Sequence, residues 1–364
     1  MDRAGNLYGT TSRGGAGYGT VYEMKHSGSN WVFNPLYSSG GVGAFPEARV
    51  IFGPDGTLYG TTNGEPFGTN GTVFNLRPFP TVCKTSLCPW MGAVLYGFQG
   101  PPDGFGPGHG DLFFDRSGNN MYGTTINGGL AQYPCPAGCG TVFELSRSGG
   151  GWTESILYRF SGADGDYPYN GIIADKAGNL YSTTSGGGLH NAGAVFQLTC
   201  TVGCTETLPY NFSNGSDGST PYAGLISDLS GNLYGAASDG GTGGGGTVFE
   251  LTPQPDGSWT FTLLYGFTGT AGHTCGPWGT LVMDTQGNLY GTTLCDGPNN
   301  VGSVFKLTPS SPYWTYTSLH DFTGANDGAN PIGQVVLDAN GNIYGTAPAG
   351  GSEGAGVVWE LIKN

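Results

Sequence analysis

One segment recurs seven times along the chain. GNLYGTT at Gly5–Thr11 returns as GTLYGTT at Gly56–Thr62, NNMYGTT at Asn119–Thr125 and GNLYSTT at Gly178–Thr184. It returns again as GNLYGAA at Gly231–Ala237, GNLYGTT at Gly287–Thr293 and GNIYGTA at Gly341–Ala347. The interval between the central tyrosines varies from 51 residues (Tyr8 to Tyr59) to 63 (Tyr59 to Tyr122). A solenoid of fixed pitch needs a steadier period, whereas units joined by loops of variable length do not.

Three further segments travel with the first. A GTVF-L stretch follows each tyrosine, as at Gly71–Leu76, Gly140–Leu145 and Gly246–Leu251. A W-x5-Y segment comes next, at Trp31/Tyr37, Trp90/Tyr96, Trp152/Tyr158 and Trp259/Tyr265, with Trp314/His320 as a variant and a copy ending at Tyr210 without the Trp. An apolar step ending in Asp closes the unit, as at Leu112–Asp115, Ile172–Asp175, Leu225–Asp228, Leu281–Asp284 and Val335–Asp338. Each unit therefore reads as four short strands. In the best-preserved copy Trp259, Phe261, Leu263, Tyr265 and Phe267 share one parity, the period of a half-buried strand. The Asp-x-x-Gly-Asn link is turn chemistry, with Asp closing an Asx turn and Gly supplying positive φ.

Seven units of four antiparallel strands predict an all-β, seven-bladed β-propeller filling a single domain over residues 1–364. Composition agrees, because 71 glycines and 10% charged residues suit tight turns and sheets buried on both faces rather than long helices. Twelve Lys+Arg against 26 Asp+Glu give a net charge of −14, which argues against nucleic acid and anionic membrane as partners. No apolar run reaches the roughly 18–20 residues of a membrane span.

The GNLYGTT…GG…GTVFEL pattern resembles the Gloeo/Verruco (GloVer) tandem repeat of bacterial choice-of-anchor surface proteins, over essentially the whole chain. The Asp-x-x-Gly-Asn-Leu-Tyr core is also similar to the inner strands of NHL-type propellers. The resemblance implies secretion and a cell-surface role. Members carry a signal peptide and a C-terminal sorting anchor, and neither is read in this chain. On the NHL strand order, the first unit is expected to lack its innermost strand and the seventh its outermost. A shortened chain explains this, and so does strand donation between copies, which would close a ring or build a fibre.

Eight cysteines fall into four local pairs, Cys83/Cys88, Cys135/Cys139, Cys200/Cys204 and Cys275/Cys295. The spacings are poor zinc patterns, so disulfides and an oxidising, extracellular compartment are expected.

Four of the loops entering a first strand carry a repeated Asp-Gly, at Asp103, Asp164, Asp217 and Asp327, while the loops SSGGVGAFP and TGTAGHTCGP lack it. A partial ring of carboxylates could bind Ca²⁺ or sugar hydroxyls, while Asp-Gly is equally ordinary turn chemistry. His109, His190 and His273 fall on the same expected rim with Asp166, Tyr133 and Asp296. No other cofactor is indicated. Gly350–Gly354 matches G-x-S-x-G without its strand–turn–helix context. The reading is a secreted, non-catalytic propeller that binds polysaccharide or forms a matrix. The alternative is a polysaccharide-acting hydrolase or lyase at the rim.

Overall fold

A computed structural model describes residues 1–28, 30–38, 41–64, 69–78, 90–132, 134–269, 275–311 and 313–363. Among them all regular structure is strand. The architecture is the seven-bladed β-propeller that the repeat predicts. The first blade has three strands, Leu7–Thr11, Thr20–Ser27 and Asn30–Ser38. The second has four, Ile51–Phe52, Leu58–Thr62, Thr72–Pro78 and Trp90–Gly97. Blades three to six repeat that order, with first strands at Phe113–Phe114, Ile173–Ala174, Ile226–Ser227 and Val282–Met283. The seventh stops at three, Val336–Leu337, Ile343–Ala347 and Val357–Leu361.

Contacts divide the chain into two compact units. One comprises Met1–Gly162, Asp166–Ala174 and Cys200–Cys204; the other comprises Ala163–Gly165, Asp175–Thr199 and Thr205–Asn364. The first holds blades one to three, and the second holds blades five to seven with most of blade four.

The turn before each second strand is built around its aspartate. Asp175 Oδ1 accepts the amides of Ala177 and Asn179, and Oδ2 accepts the Asn179 side chain and the Tyr181 hydroxyl. Asp228, Asp284 and Asp338 repeat the arrangement with Tyr234, Tyr290 and Tyr344. Within that turn Gly178 sits at φ +91°. Nothing lies within 4 Å of where its Cβ would be, so the backbone angle alone demands glycine there.

The glycine after the repeat tyrosine has a different duty. A Cβ on Gly235 would stand 2.6 Å from Phe249 and 2.8 Å from Leu225. Phe249 is its cross-strand partner in the same sheet, so the glycine makes room for a ring lying over its own blade.

Both sheet faces are buried, which explains why Val and Phe of GTVF are adjacent and both enclosed. Val73, Phe74, Val142, Phe143, Val248 and Phe249 are all 1% exposed or less. In the first unit Tyr59, Val73 and Phe98 of the second blade pack with Leu112, Met121, Phe143 and Leu145 of the third. In the second, Tyr234, Val248 and Phe267 of the fifth pack with Leu281, Leu289, Phe305 and Leu307 of the sixth. The outer-strand tryptophans join these seams edge-on, Trp152 to Tyr59 at 6.2 Å and Trp314 to Tyr234 at 6.4 Å.

One strand pattern is corrected. The pairing of third and fourth strands slips by a residue between Val and Phe, so Val248 faces Tyr265 while Phe249 faces Leu263. The bulge takes in Leu264, which is 7% exposed, and turns Leu263 outward at 41%. The same slip recurs in blades one, two, three and six, where it adds twist.

Candidate functional site

The loop leading into each first strand contains an X-Pro pair: Phe45-Pro46, Gly106-Pro107, Tyr167-Pro168, Thr220-Pro221, Gly276-Pro277 and Asn330-Pro331. In five of the six the residue before proline is left-handed, including Phe45 (φ 59°), Tyr167 (φ 52°), Thr220 (φ 55°) and Asn330 (φ 56°). Non-glycine residues avoid this region unless the surroundings compel it. Here the compulsion is a backbone clasp. The Phe45 amide donates to Tyr18 of the preceding blade, and its carbonyl accepts the Asn63 amide of its own blade. Gly106 bridges Asn70 and Ile126 likewise, and Thr220 bridges Ala192 and Ser238. A threonine of the repeat fastens the loop again, Thr10 to the Ala48 carbonyl at 2.9 Å, Thr124 to Asn170 at 2.8 Å and Thr183 to Ala223 at 3.0 Å.

The clasp holds the first side chain after the proline at one register in blades two to seven; in the third, a one-residue insertion makes that side chain His109. Reading along the chain, the register carries Glu47, His109, Tyr169, Tyr222, Trp278 and Ile332. In the first unit these side chains touch. Glu47 Oε2 and His109 Nε2 are 3.0 Å apart, and the His109 ring lies 4.8 Å from that of Tyr169. Asn63 donates to the same Glu47 oxygen at 3.2 Å. Burial pushes the His109 pKa below its ordinary 6.5, against the opposing pull of Glu47. The imidazole is therefore neutral at pH 7, with a carboxylate to orient it. His109 and Glu47 still keep 33% and 29% of their surface open to solvent, so a small molecule can reach them. Two residues further on, Arg49 donates through Nε to Asp111 Oδ2 at 2.8 Å, through Nη2 to the same oxygen, and through its amide to Oδ1 at 3.1 Å. In the second unit two members of the register are aromatic, with Tyr222 and Trp278 stacked at 4.3 Å and 28°.

Three of the four Asp-Gly carboxylates are drawn into their own loops. Asp103 accepts the Tyr96 hydroxyl at 2.9 Å and the amides of Gln99 and Gly104. Asp217 accepts the Tyr210 hydroxyl, the Ser213 amide and hydroxyl and the Gly215 amide. Burial works to raise the Asp217 pKa, but these hydrogen bonds outweigh it and hold the group ionised. Asp327 accepts the Thr323 amide and hydroxyl and faces His320 Nε2 at 3.1 Å. Asp166 is buried, with Oδ2 3.9 Å from Cys135 Sγ, and His190 is exposed in a hairpin of the fourth blade. Tyr133 and His273 lie outside the described residues. Of the expected histidines, His109 belongs to the Glu47 pair in the first unit and His190 lies in the second. Among the described residues no group of three or more His, Cys, Asp or Glu could hold a metal ion.

Two further acids stand at the seams. Glu154, on the outer strand of the third blade, has its pKa raised to about 7 by burial and by the charge of Asp103, against Arg159 and a hydrogen bond with Tyr96. Glu206 in the fourth blade is raised to about 7 by burial and by Asp164. Sequence reasoning missed both acids and Glu47. The signal for Glu47 was present, since the post-proline position is the one that changes chemistry from copy to copy.

Disulfides join Cys135–Cys139, Cys200–Cys204 and Cys275–Cys295, as the spacing indicated, while Cys83 and Cys88 lie outside the described residues. Three bridges are the mark of an oxidising, extracytoplasmic compartment. No described helix is long and apolar enough to cross a membrane.

The profile of the Gloeobacter/Verrucomicrobia repeat matches residues 81–229 and 205–364, well over half of the chain. The chain belongs to that family. No curated protein matches the chain. Among solved structures, this member of the repeat family is similar to the periplasmic gluconolactonase PpgL of Pseudomonas aeruginosa, at 14% identity and a TM-score of 0.56, over 98% of this chain and 94% of that one. It is also similar to a putative 6-phosphogluconolactonase of Bacteroides uniformis, at 12% identity and a TM-score of 0.57, over 99% and 96%. At these identities the likeness is one of fold. It nonetheless corrects the expectation of a non-catalytic binding or matrix module, because both of these structures, matched over nearly their whole length, carry enzyme names. The physical reason is that blades are scaffold and chemistry sits on the loops, so a repeat dominated by packing residues says little about catalysis.

Proposed function

We propose that the chain is a secreted hydrolase that opens an ester of a sugar acid, with a lactone as the simplest substrate. The observation that carries this reading is the Glu47–His109 pair, a neutral, solvent-reachable imidazole hydrogen-bonded to a carboxylate. The names of the two lactonases of similar fold support the substrate class. With Nε2–H donated to Glu47, His109 keeps Nδ1 as the proton acceptor. His109 takes a proton from water as the oxygen attacks the ester carbonyl carbon. The bond from the carbonyl carbon to the ring oxygen then breaks, and His109 passes its proton to the departing alkoxide. Glu47 offsets the imidazolium charge that forms in between.

Proton release from glucono-1,5-lactone, measured above the spontaneous rate, tests the assignment. The rate constant should rise with pH as His109 loses its proton, with a midpoint below 6.5. His109→Gln should lower it by about 10²–10⁴-fold, the usual contribution of a general base. An unchanged rate in that variant, or no turnover of lactones or other sugar-acid esters by the parent protein, would overturn the reading. Reducing ends released from polysaccharide would instead assign cleavage to glycosidic bonds.

A further inference from the structure

In the second unit the post-proline register departs from the repeat in its own way. Five of the seven tryptophans occupy the W-x5-Y position, and a sixth, Trp359, takes the place of the third-strand phenylalanine. The demands of the blade account for all six. Trp278 has no such explanation, because the same position elsewhere carries Glu47, His109, Tyr169, Tyr222 and Ile332. It is partly exposed, and it stacks on Tyr222 of the neighbouring loop with centroids 4.3 Å apart. Asp239 lies nearby: its charge bears on the Tyr222 phenol, and one of its oxygens is fixed by the Gly240 amide at 2.8 Å. The backbone beneath is rigid. The Thr220 carbonyl accepts the Tyr222 amide at 2.9 Å, and the Pro277 carbonyl accepts the Ser238 hydroxyl at 2.6 Å.

We propose that Tyr222, Trp278 and Asp239 form a binding site for a pyranose ring. The two aromatic rings stack on each other, so they offer a flat outer face rather than a cage. A flat apolar face suits the C–H side of a sugar; a cation over the same face is the competing occupant, and tetramethylammonium tests it. Asp239 supplies an acceptor for the ring hydroxyls at the edge of that face. Its charge, in a chain of net charge −14, disfavours anionic ligands. This inference goes beyond the hydrolase reading and is tested by binding instead of turnover, so either can fail alone.

Tryptophan fluorescence of the intact chain, titrated with methyl glucopyranoside, methyl galactopyranoside and cellobiose, should show a saturable change with at least one of them. Trp278→Ile, which installs the residue of the seventh blade at this register, should remove the change. Asp239→Asn should weaken binding by about tenfold, a typical loss for one hydrogen bond to a charged group. Trp152→Phe, at a packing tryptophan in the other unit, should leave the affinity as it was. Saturation-transfer NMR reads the same affinities without relying on tryptophan. Three results overturn the proposal: no change with any of the sugars, a change that survives Trp278→Ile, or a response to tetramethylammonium but to none of the sugars.

Discussion

The third and fourth blades differ from the fifth and sixth at one outer-strand position, two residues beyond the conserved tryptophan or its equivalent. In the fifth and sixth that position is aromatic. Phe261 stacks on Tyr210 of the blade before it at 4.4 Å and 18°, and Tyr316 stacks on Tyr265 at 4.6 Å and 10°. In the third and fourth it is Glu154 and Glu206, facing Asp103 and Asp164. One Oε1 of each glutamate is buried without a hydrogen-bond partner. The same seam thus accepts a pair of rings or a strained acid. The rings contribute dispersion and shape, whereas burial and a neighbouring carboxylate raise each acid's pKa to about 7. The backbone of the blade is indifferent to this choice, so its consequences are electrostatic.

The most damaging way to break the comparison is to move the acid to the wrong seam. Tyr316→Glu would lose the stack on Tyr265 and the contacts with Phe267 and Phe305. It would also set a carboxylate beside Asp296 and Asp321, whose charges already bear on the Tyr316 phenol. A cost of about 2–4 kcal/mol at pH 8 is expected, from lost packing and a poorly solvated charge. Urea unfolding measures it. The cost should shrink at pH 5, where the new acid can hold its proton. A loss that is small, or the same at both pH values, would mean the seam is wetter than its packing indicates.

Removing the native acids should act in the opposite direction. Glu154 and Glu206 titrate near 7 when folded and near 4.5 when unfolded. Below pH 4.5 both states hold the proton and the shift costs nothing. Between 4.5 and 7 the unfolded chain ionises while the folded one does not, so stability falls as pH rises and the cost levels off above 7. Glu154→Gln and Glu206→Gln should each stabilise the chain above pH 7, by about 1–2 kcal/mol after allowance for partial solvent access, and leave it unchanged near pH 4. The turn aspartates have the opposite sign. Asp175 and Asp217 are held below their ordinary pKa, so their contribution is lost in acid. A variant that gains nothing at pH 8 would show that these glutamates ionise freely in the native state.

These contrasts mark what the sequence could and could not disclose. The tyrosine turns, the four strands of the second to sixth blades and three of the four cysteine pairs were legible because each repeats one local rule of turn geometry or spacing. The bulge at Leu264 was not, since period-two alternation around Trp259 and Tyr265 looks unbroken until the pairing register is known. The Asp-Gly acids stood out by recurrence. Their carboxylates meet Tyr96, Tyr210 and His320, which lie seven residues back along the chain on the preceding strand, and no local pattern states that. Glu47 and His109 are 62 positions apart and meet because two clasped loops present the same register. Recurrence exposes scaffold: His109 stood out as one of only five histidines, but its partner Glu47 was hidden because the residue after the proline does not recur.

The mildest test concerns the aromatic seam itself. Phe261 touches two rings, Tyr210 at 4.4 Å and Phe249 at 5.7 Å, both nearly parallel to it. Phe261→Leu keeps most of the buried apolar surface and removes only what the ring stacking adds. The expected loss is about 0.5–1.5 kcal/mol, independent of pH, because no charge is made or removed. Phe249 is fully buried and should hold the sheet in register. Tyr210 would lose its stacking partner but keep its hydrogen bond to Asp217, so its hydroxyl should stay fixed. A larger loss, or one that grows with pH, would mean that the ring also shields the Tyr210–Asp217 pair from water. The aromatic and acidic seams would then be two solutions to one electrostatic problem.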